Sequence, residues 1–236
     1  MSSAYSILIP AGSPTPAFVF DLDGTLIDSV YQHVLAWREA LEGIGLSLAV
    51  WRIHRRIGMS GGLLAQALGR EIERSLSEDQ IETLQRLHAA AFERHTHLLR
   101  PLPGASALLR RVSDNGVQYA IATSGRLKNA KPSLDALSLP ADVTVITRDE
   151  VLRAKPDPDM FLLAANRLNV PPAQAIVVGD SVWDLLAARR AGSLGVGVLS
   201  GGYGEDELYR AGAYRVYQDP ADLLAHLDEL GVRAQT

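Results

Sequence analysis

The stretch Phe18–Ser29, FVFDLDGTLIDS, decides the reading of this chain: an apolar run delivers two aspartates, Asp21 and Asp23, directly at its end, with Gly24 next. A carboxylate at the end of a buried strand has to be hydrated, paired, metal-bound or catalytic, because leaving it desolvated without a partner costs roughly several kcal/mol. The rest of the sequence chooses among these.

Outward from Ala17–Phe20, further apolar runs read as strands: QYAIAT ending at Thr123, VTVIT from Val143, AIVVGD ending at Asp180 and LGVGVL from Leu194. Helical patterns separate most of them, and continuous apolar strands alternating with helices predict an α/β fold, a three-layer core whose mostly parallel sheet is covered on both faces. The interval between the first two strands departs from this rhythm. From Ser29 to Arg100 the pattern is helical, with Val30, Val34, Trp37 and Leu41 repeating at steps of four and three, and Ile81, Leu84, His88 and Ala91 doing the same. Such a segment is far longer than an ordinary connection and can bury a small core of its own. It is predicted as a helical insertion over 29–100 in an α/β core of 16–28 and 101–236. The chain enters it near Asp28-Ser29, read as a cap and hinge, and leaves at RPLPG, Arg100–Gly104. Residues 1–15, rich in Ser and Pro, are predicted to form a flexible tail.

Composition narrows the function. A chain of 236 residues with 47% hydrophobic and 21% charged residues affords a sizeable core, and a formal net charge of -4 argues against general attraction to nucleic acid or anionic lipid. Without cysteine there is no disulfide, no thiolate nucleophile and no thiolate metal ligand, so any metal site must use oxygen or histidine donors. MSSAYSILIPAGSPTPA lacks the basic start and long apolar run of a secretory signal, and no uninterrupted apolar run is long enough for a membrane helix. The expectation is a cytoplasmic protein with no obligatory protein partner evident. His95 and His97 are spaced so that they do not share one helical face, which argues against zinc. GVGVLSGG, Gly195–Gly202, reads as strand and turn, since no helix follows at the position a nucleotide loop requires.

Parallel sheets present ligands at the carboxyl ends of their strands. Those ends carry Asp21 and Asp23, Thr123 and Ser124, and Asp180 with Asp184 four residues on; Lys155 stands in the loop RAKPDPDMF. A phosphate monoester is doubly negative and repels an attacking carboxylate, so a hard divalent cation has to bridge the two. Asp21 and Asp180 are carboxylates suited to Mg²⁺. The Thr123 hydroxyl, the backbone N–H groups of Ser124 and Gly125, and the compact charge of Lys155 suit the phosphate oxygens. Together they describe a phosphoryl cradle.

In order and placement, DLDGT at Asp21–Thr25, the strand ending in Thr123, Lys155 in KPDP and GDSVWD at Gly179–Asp184 resemble the haloacid dehalogenase superfamily. The likeness is to its phosphatase branch with a helical cap inserted after the first strand, the phosphoglycolate phosphatase and beta-phosphoglucomutase-like group, and it covers nearly everything from Ala17 onward. The resemblance implies a Rossmann-like core, a cap over 29–100, Mg²⁺ as cofactor and a small phosphorylated metabolite as substrate. It implies that Asp21 attacks phosphorus to form an aspartyl phosphate, and that Asp23 protonates the leaving alcohol and then deprotonates the hydrolytic water. Metal ligation is implied for Asp21, Asp180 and the Asp23 backbone carbonyl, with Asp184 supporting the site through water or through another ligand. The cap loop near Gly58 is implied to face the site, so Arg56, Met59 and Ser60 are expected substrate contacts.

Three other readings compete. A phosphomutase shares these motifs, but mutases of this type commonly carry an arginine after the cap-loop serine, and Ser60 is followed by Gly61-Gly62. A phosphoaspartate receiver module is about half as long and has no helical insertion. A dehydrogenase would need a glycine-rich turn after the first strand. Phosphatase survives best, and nothing in RIGMSGG selects one alcohol over another among sugar phosphates, phosphoglycolate and nucleoside-like 5'-phosphates.

Overall fold

The computed structural model describes residues 16–232, so the tail predicted over 1–15 lies outside the described residues. Six strands, β1 Ala17–Phe20, β2 Tyr119–Ala122, β3 Thr144–Ile146, β4 Ala175–Gly179, β5 Leu194–Val198 and β6 Ala213–Tyr217, form one sheet in the order β3-β2-β1-β4-β5-β6. Every adjacent pair is parallel. The order reverses between β1 and β4, so the loops leaving these two strands diverge and open a crevice at their carboxyl ends. The register brings those ends level: Phe20 pairs with Val178, and the Asp21 N–H donates to the Val178 carbonyl at 2.9 Å.

Side-chain alternation along β1 divides the core in two. Phe18 and Phe20, stacked with ring centroids 5.5 Å apart, point to the layer of α5 (Ala105–Asp114), α6 (Leu127–Leu137) and α10 (Pro220–Ala225). Ala17 and Val19 point to the opposite layer, where α7 (Asp159–Arg167) contributes Met160 and Phe161 and α8 (Val182–Ala191) contributes Ala187 and Ala188. Helix α9 (Glu205–Ala211) packs Leu208 beside Leu185 and Tyr203. The expected three-layer α/β architecture is thus present. The strand β6 has no counterpart in the sequence reading, because AYRVY is an edge strand with exposed Tyr214 and Arg215 and only its last residue buried, so it lacks a continuous apolar run.

Between β1 and α5 the chain forms α1 (Val30–Glu42), α2 (Val50–His54), α3 (Gly61–Glu71) and α4 (Glu78–His95). Val34, Trp37, Leu41, Ile53, Leu64, Leu68 and Leu84 make a separate apolar cluster here, which is what the steps of three and four in the sequence require. Ser77 opens α4 with a reciprocal capping box to Gln80. The two chain crossings lie side by side: the Asp28 N–H donates to the Arg100 carbonyl at 2.9 Å, and Ile27 bridges Pro101. A polar seam joins this helical segment to the core. His54 Nε2 lies 2.8 Å from the Gly201 carbonyl oxygen, the Tyr203 hydroxyl donates to the Arg55 carbonyl at 2.9 Å, and the Arg55 guanidinium grips the Glu207 carboxylate. No helix among the described residues is long and apolar enough to cross a membrane.

Because Leu84 is fully buried at the centre of the helical cluster, Leu84→Ala is expected to destabilise that segment by about 2–5 kcal/mol. Urea denaturation followed by circular dichroism checks this; a change below about 1 kcal/mol would contradict an independent core there.

Candidate active site

The crevice between β1 and β4 gathers the acidic residues. Asp21 follows β1 and Asp180 follows β4, while Asp184 lies in the first turn of α8, and ligand atoms of these three buried carboxylates lie within 4.8 Å of one another. The chain turns away after Asp23 through Gly24, whose φ of 88° is a left-handed conformation that a side chain would strain. A Cβ there would also stand 2.6 Å from Asp180 Oδ2. Across the crevice Gly201 comes closer still: a Cβ would fall 1.7 Å from the same oxygen. Glycine at both positions lets backbone close around the Asp180 carboxylate. The Thr25 hydroxyl donates to Asp180 Oδ1 at 3.0 Å and fixes its plane.

Lys155, fully buried, donates to Asp21 Oδ1 at 2.5 Å and to Asp184 Oδ1 at 2.8 Å. The other Asp184 oxygen accepts from the Ser181 N–H at 3.1 Å and from its hydroxyl at 2.5 Å. Asp184 is therefore both the helix-start acid that its sequence position suggests and a holder of Lys155. Burial works against the Lys155 charge, but Asp184 and Asp21 outweigh it and hold the ammonium pKa above its ordinary value. Burial, with repulsion from Asp184, pushes Asp21 up to about 7 although Lys155 opposes it. Burial, then Asp184 and Asp21, also pushes Asp180 well above the usual carboxylate range. One cation thus faces three clustered carboxylates, and the surplus negative charge on oxygen-only donors fits a hard divalent cation such as Mg²⁺.

Asp23 differs. It is half-buried, and its Oδ1 accepts from Ser29 Oγ at 2.6 Å, lies 3.4 Å from His33 Nε2 and 3.5 Å from Ser133 Oγ. Burial opposes ionisation there, yet His33 and Ser29 hold its carboxyl below the usual range. Ser29 makes no side-chain cap for α1; its hydroxyl goes to Asp23. Neither Ser29 nor His33 stood out in the sequence as chemistry. Ser29 matched a helix cap, and the one available sign for His33 was its place on the first helix after the aspartates, one residue before the buried Val34.

Asp21, Asp23, Thr123, Ser124, Gly125 and Lys155 all line one cavity of about 930 Å³, roofed by the helical segment through Met59, Ser60, Gln85 and His88. The Gly125 N–H, expected to face phosphate, instead donates to Thr123 Oγ1 at 3.0 Å, which turns the Thr123 hydroxyl hydrogen toward other acceptors. Ser124 Oγ donates to the Gly58 carbonyl at 3.0 Å, tying the loop that carries Met59 and Ser60 to the core. Arg56 is not among the residues lining this cavity. It pairs with Glu71 and lines a separate cavity of about 400 Å³ behind Met59, so the structure does not bring it to the other expected site residues.

The sequence model of the haloacid dehalogenase-like hydrolases matches residues 15–192, which span all of these groups. The chain belongs to this family. It is 33% identical over 183 residues, 74% of this chain and 79% of the relative, to Hexitol phosphatase A of Escherichia coli (strain K12). To the Beta-phosphoglucomutase of Bacillus subtilis (strain 168) it is 31% identical over 219 residues, 89% of this chain and 92% of the relative. Among solved structures, a hydrolase from Pseudomonas syringae superimposes with a TM-score of 0.89 at 52% identity, over 91% of this chain and 99% of the other.

The raised Asp21 and Asp180 values carry a pH consequence for the metal-free protein. Between the unfolded carboxylate value of 3.8 and the folded value of about 7, the folded state holds more protons, so stability is greatest below that window and is lost as pH rises through it. Thermal denaturation in a chelator is expected to give a higher Tm near about pH 5 than near about pH 8, with Mg²⁺ raising the Tm more at the higher pH. A Tm that rises across this range without metal, in wild type and Asp21→Asn alike, would contradict the clustered charge.

Proposed function

We propose that this haloacid dehalogenase-like hydrolase is a Mg²⁺-dependent phosphatase acting on a small phosphorylated metabolite through an aspartyl phosphate on Asp21. The observation that carries this reading is the opposite treatment of two neighbouring carboxylates: Asp21 is set against Lys155 among clustered acids, whereas Asp23 stands apart on its own donors, two residues away. A nucleophile and an acid/base have to be two such groups. Bound at Asp21, Asp180 and the Asp23 carbonyl, the cation would neutralise charge shared between Asp21 and the phosphate.

Asp21 Oδ attacks phosphorus as the ester P–O bond breaks, and the departing alkoxide oxygen takes a proton from Asp23, which has to take up that proton before the step because His33 and Ser29 favour its carboxylate in the free protein. Asp23, now a carboxylate, removes a proton from the water that attacks the acyl phosphate; the P–O bond to Asp21 breaks and inorganic phosphate leaves. Lys155 holds Asp21 in place and offers positive charge beside the phosphoryl group, and the Thr123 hydroxyl is available to a phosphate oxygen. The helical segment over 29–100 serves as a cap, with Met59 and Ser60 toward the leaving group. The cavity, about 930 Å³, is large enough for a hexose-sized alcohol, and the relatives named for hexitol and glucose phosphate chemistry support a phosphorylated sugar or sugar alcohol.

The second reading, a phosphomutase, has its support in the Bacillus subtilis relative, and it lacks a cation after Ser60, where Gly61 opens α3. One experiment separates them: wild type is incubated with a panel of sugar, sugar alcohol and two-carbon acid phosphates, with Mg²⁺ or with EDTA, and both inorganic phosphate and phosphate isomers are measured. Phosphate release that Mg²⁺ supports and EDTA abolishes is expected, with Asp21→Asn lowering kcat by at least about 10³-fold. Isomerisation without phosphate release would install the mutase. Turnover by Asp21→Asn near the wild-type rate would remove the covalent mechanism.

A further inference from the structure

Asp23 is held by a chain of side chains that reaches into the helical segment. His33 on α1 places Nε2 at 3.4 Å from Asp23 Oδ1, and its other nitrogen, Nδ1, lies 3.1 Å from Nε2 of His88 on α4. His88 in turn stacks on Trp37 with centroids 4.3 Å apart, and His33 lies flat against Phe92 at 3.9 Å. The two imidazoles are thus clamped between aromatic rings, at the roof of the catalytic cavity.

Hydrogen counting fixes what His88 must do. A nitrogen–nitrogen contact at 3.1 Å needs one donor and one acceptor. If neutral His33 carried its proton on Nδ1, its Nε2 lone pair would face the Asp23 carboxylate, which is repulsive. His33 therefore presents Nε2–H to Asp23, and its Nδ1 needs a partner: a donor when His33 is neutral, an acceptor when it carries both protons. His88 is the group placed to supply either. Its neutral ring has one N–H and one lone pair, and burial, followed by the neighbouring His33, holds its pKa well below the ordinary histidine value, so it stays neutral and able to serve both ways.

We propose that His88 is a positioning residue for the phosphoryl-transfer acid/base: by partnering His33 Nδ1 it keeps His33 Nε2–H on Asp23 Oδ1. Together with Ser29 this places the donors on one carboxylate oxygen and leaves Oδ2 as the oxygen to which no described residue donates. Without His88, no other described residue partners Nδ1 of His33, and the ring would be free to turn from Asp23.

The proposal rests on the assignment of Asp23 as acid/base, so Asp23→Asn is measured alongside. His88→Leu and His88→Met remove the hydrogen-bonding nitrogen, and His88→Gln restores an amide that can donate or accept at similar reach. Steady-state kinetics are taken with a sugar alcohol phosphate, whose leaving group needs a proton, and with p-nitrophenyl phosphate, whose leaving group does not; thermal denaturation identifies any variant that has lost its fold. His88→Leu and His88→Met are expected to lower kcat/KM, which reports the steps through departure of the leaving group, by about 10–100-fold on the sugar alcohol phosphate and far less on p-nitrophenyl phosphate. His88→Gln should recover most of that loss. In an Asp23→Asn background, His88→Leu should bring no further loss on p-nitrophenyl phosphate. Equal losses of kcat/KM on the two substrates, no recovery in the glutamine variant, or a kcat/KM within about twofold of wild type in both apolar variants would overturn the proposal. If Asp23→Asn itself retains wild-type kcat on the sugar alcohol phosphate, the acid/base assignment fails instead.

Discussion

The buried ammonium of Lys155 is the constraint around which the site is organised. Taking a lysine and three aspartates out of water is costly, and the arrangement holds because the ammonium bridges Asp21 and Asp184 while Ser181 and Thr25 satisfy the oxygens turned away from it. Those partners come from four different stretches of chain: the end of β1, the loop before α7, the end of β4 and the first turn of α8. The reversal of strand order between β1 and β4 is what lets these stretches converge. The charge balance remains short of neutral, and that shortfall is the physical reason for expecting a cation there.

The helical segment meets this charged floor from above and joins the core on one face of the sheet only through Ala36, Ala91, Phe92 and Leu99. Its apolar cluster around Trp37 and Leu84 is separate from the two clusters flanking the sheet, so it can carry its own sequence variation at the roof while the floor stays fixed. The histidine pair adds a link from a roof helix to Asp23 on the floor.

Much of this was legible in the sequence because the central strands are buried on both faces, which leaves continuous apolar runs that end abruptly at chemistry. The helical insertion showed itself through the steps of three and four at Val30, Val34, Trp37 and Leu41 and through its length. What escaped has a common cause: its signal was already explained by something ordinary. His88 fitted the apolar face of α4 as one more core position, and Ser29 fitted a helix cap, although its hydroxyl serves Asp23. The edge strand β6 is too exposed to leave an apolar run. Arg56 stood next to the expected loop, but the turn at Gly58 sends Met59 and Ser60 to the cavity that Asp21 lines and leaves Arg56 with Glu71 on the other side.

The seam that runs from His54 and Arg55 to Gly201, Tyr203 and Glu207 combines hydrogen bonds and one ion pair with contacts of His54 and Arg55 on the Tyr203 ring. Water can replace each of these partners, at a net cost of only about 0.5–1.5 kcal/mol per hydrogen bond. Along this line the joint is a polar clasp, while Ala36, Ala91, Phe92 and Leu99 tie the two halves by apolar contact elsewhere. Salt screens its one ion pair, between Arg55 and Glu207, so this part of the clasp weakens as ionic strength rises.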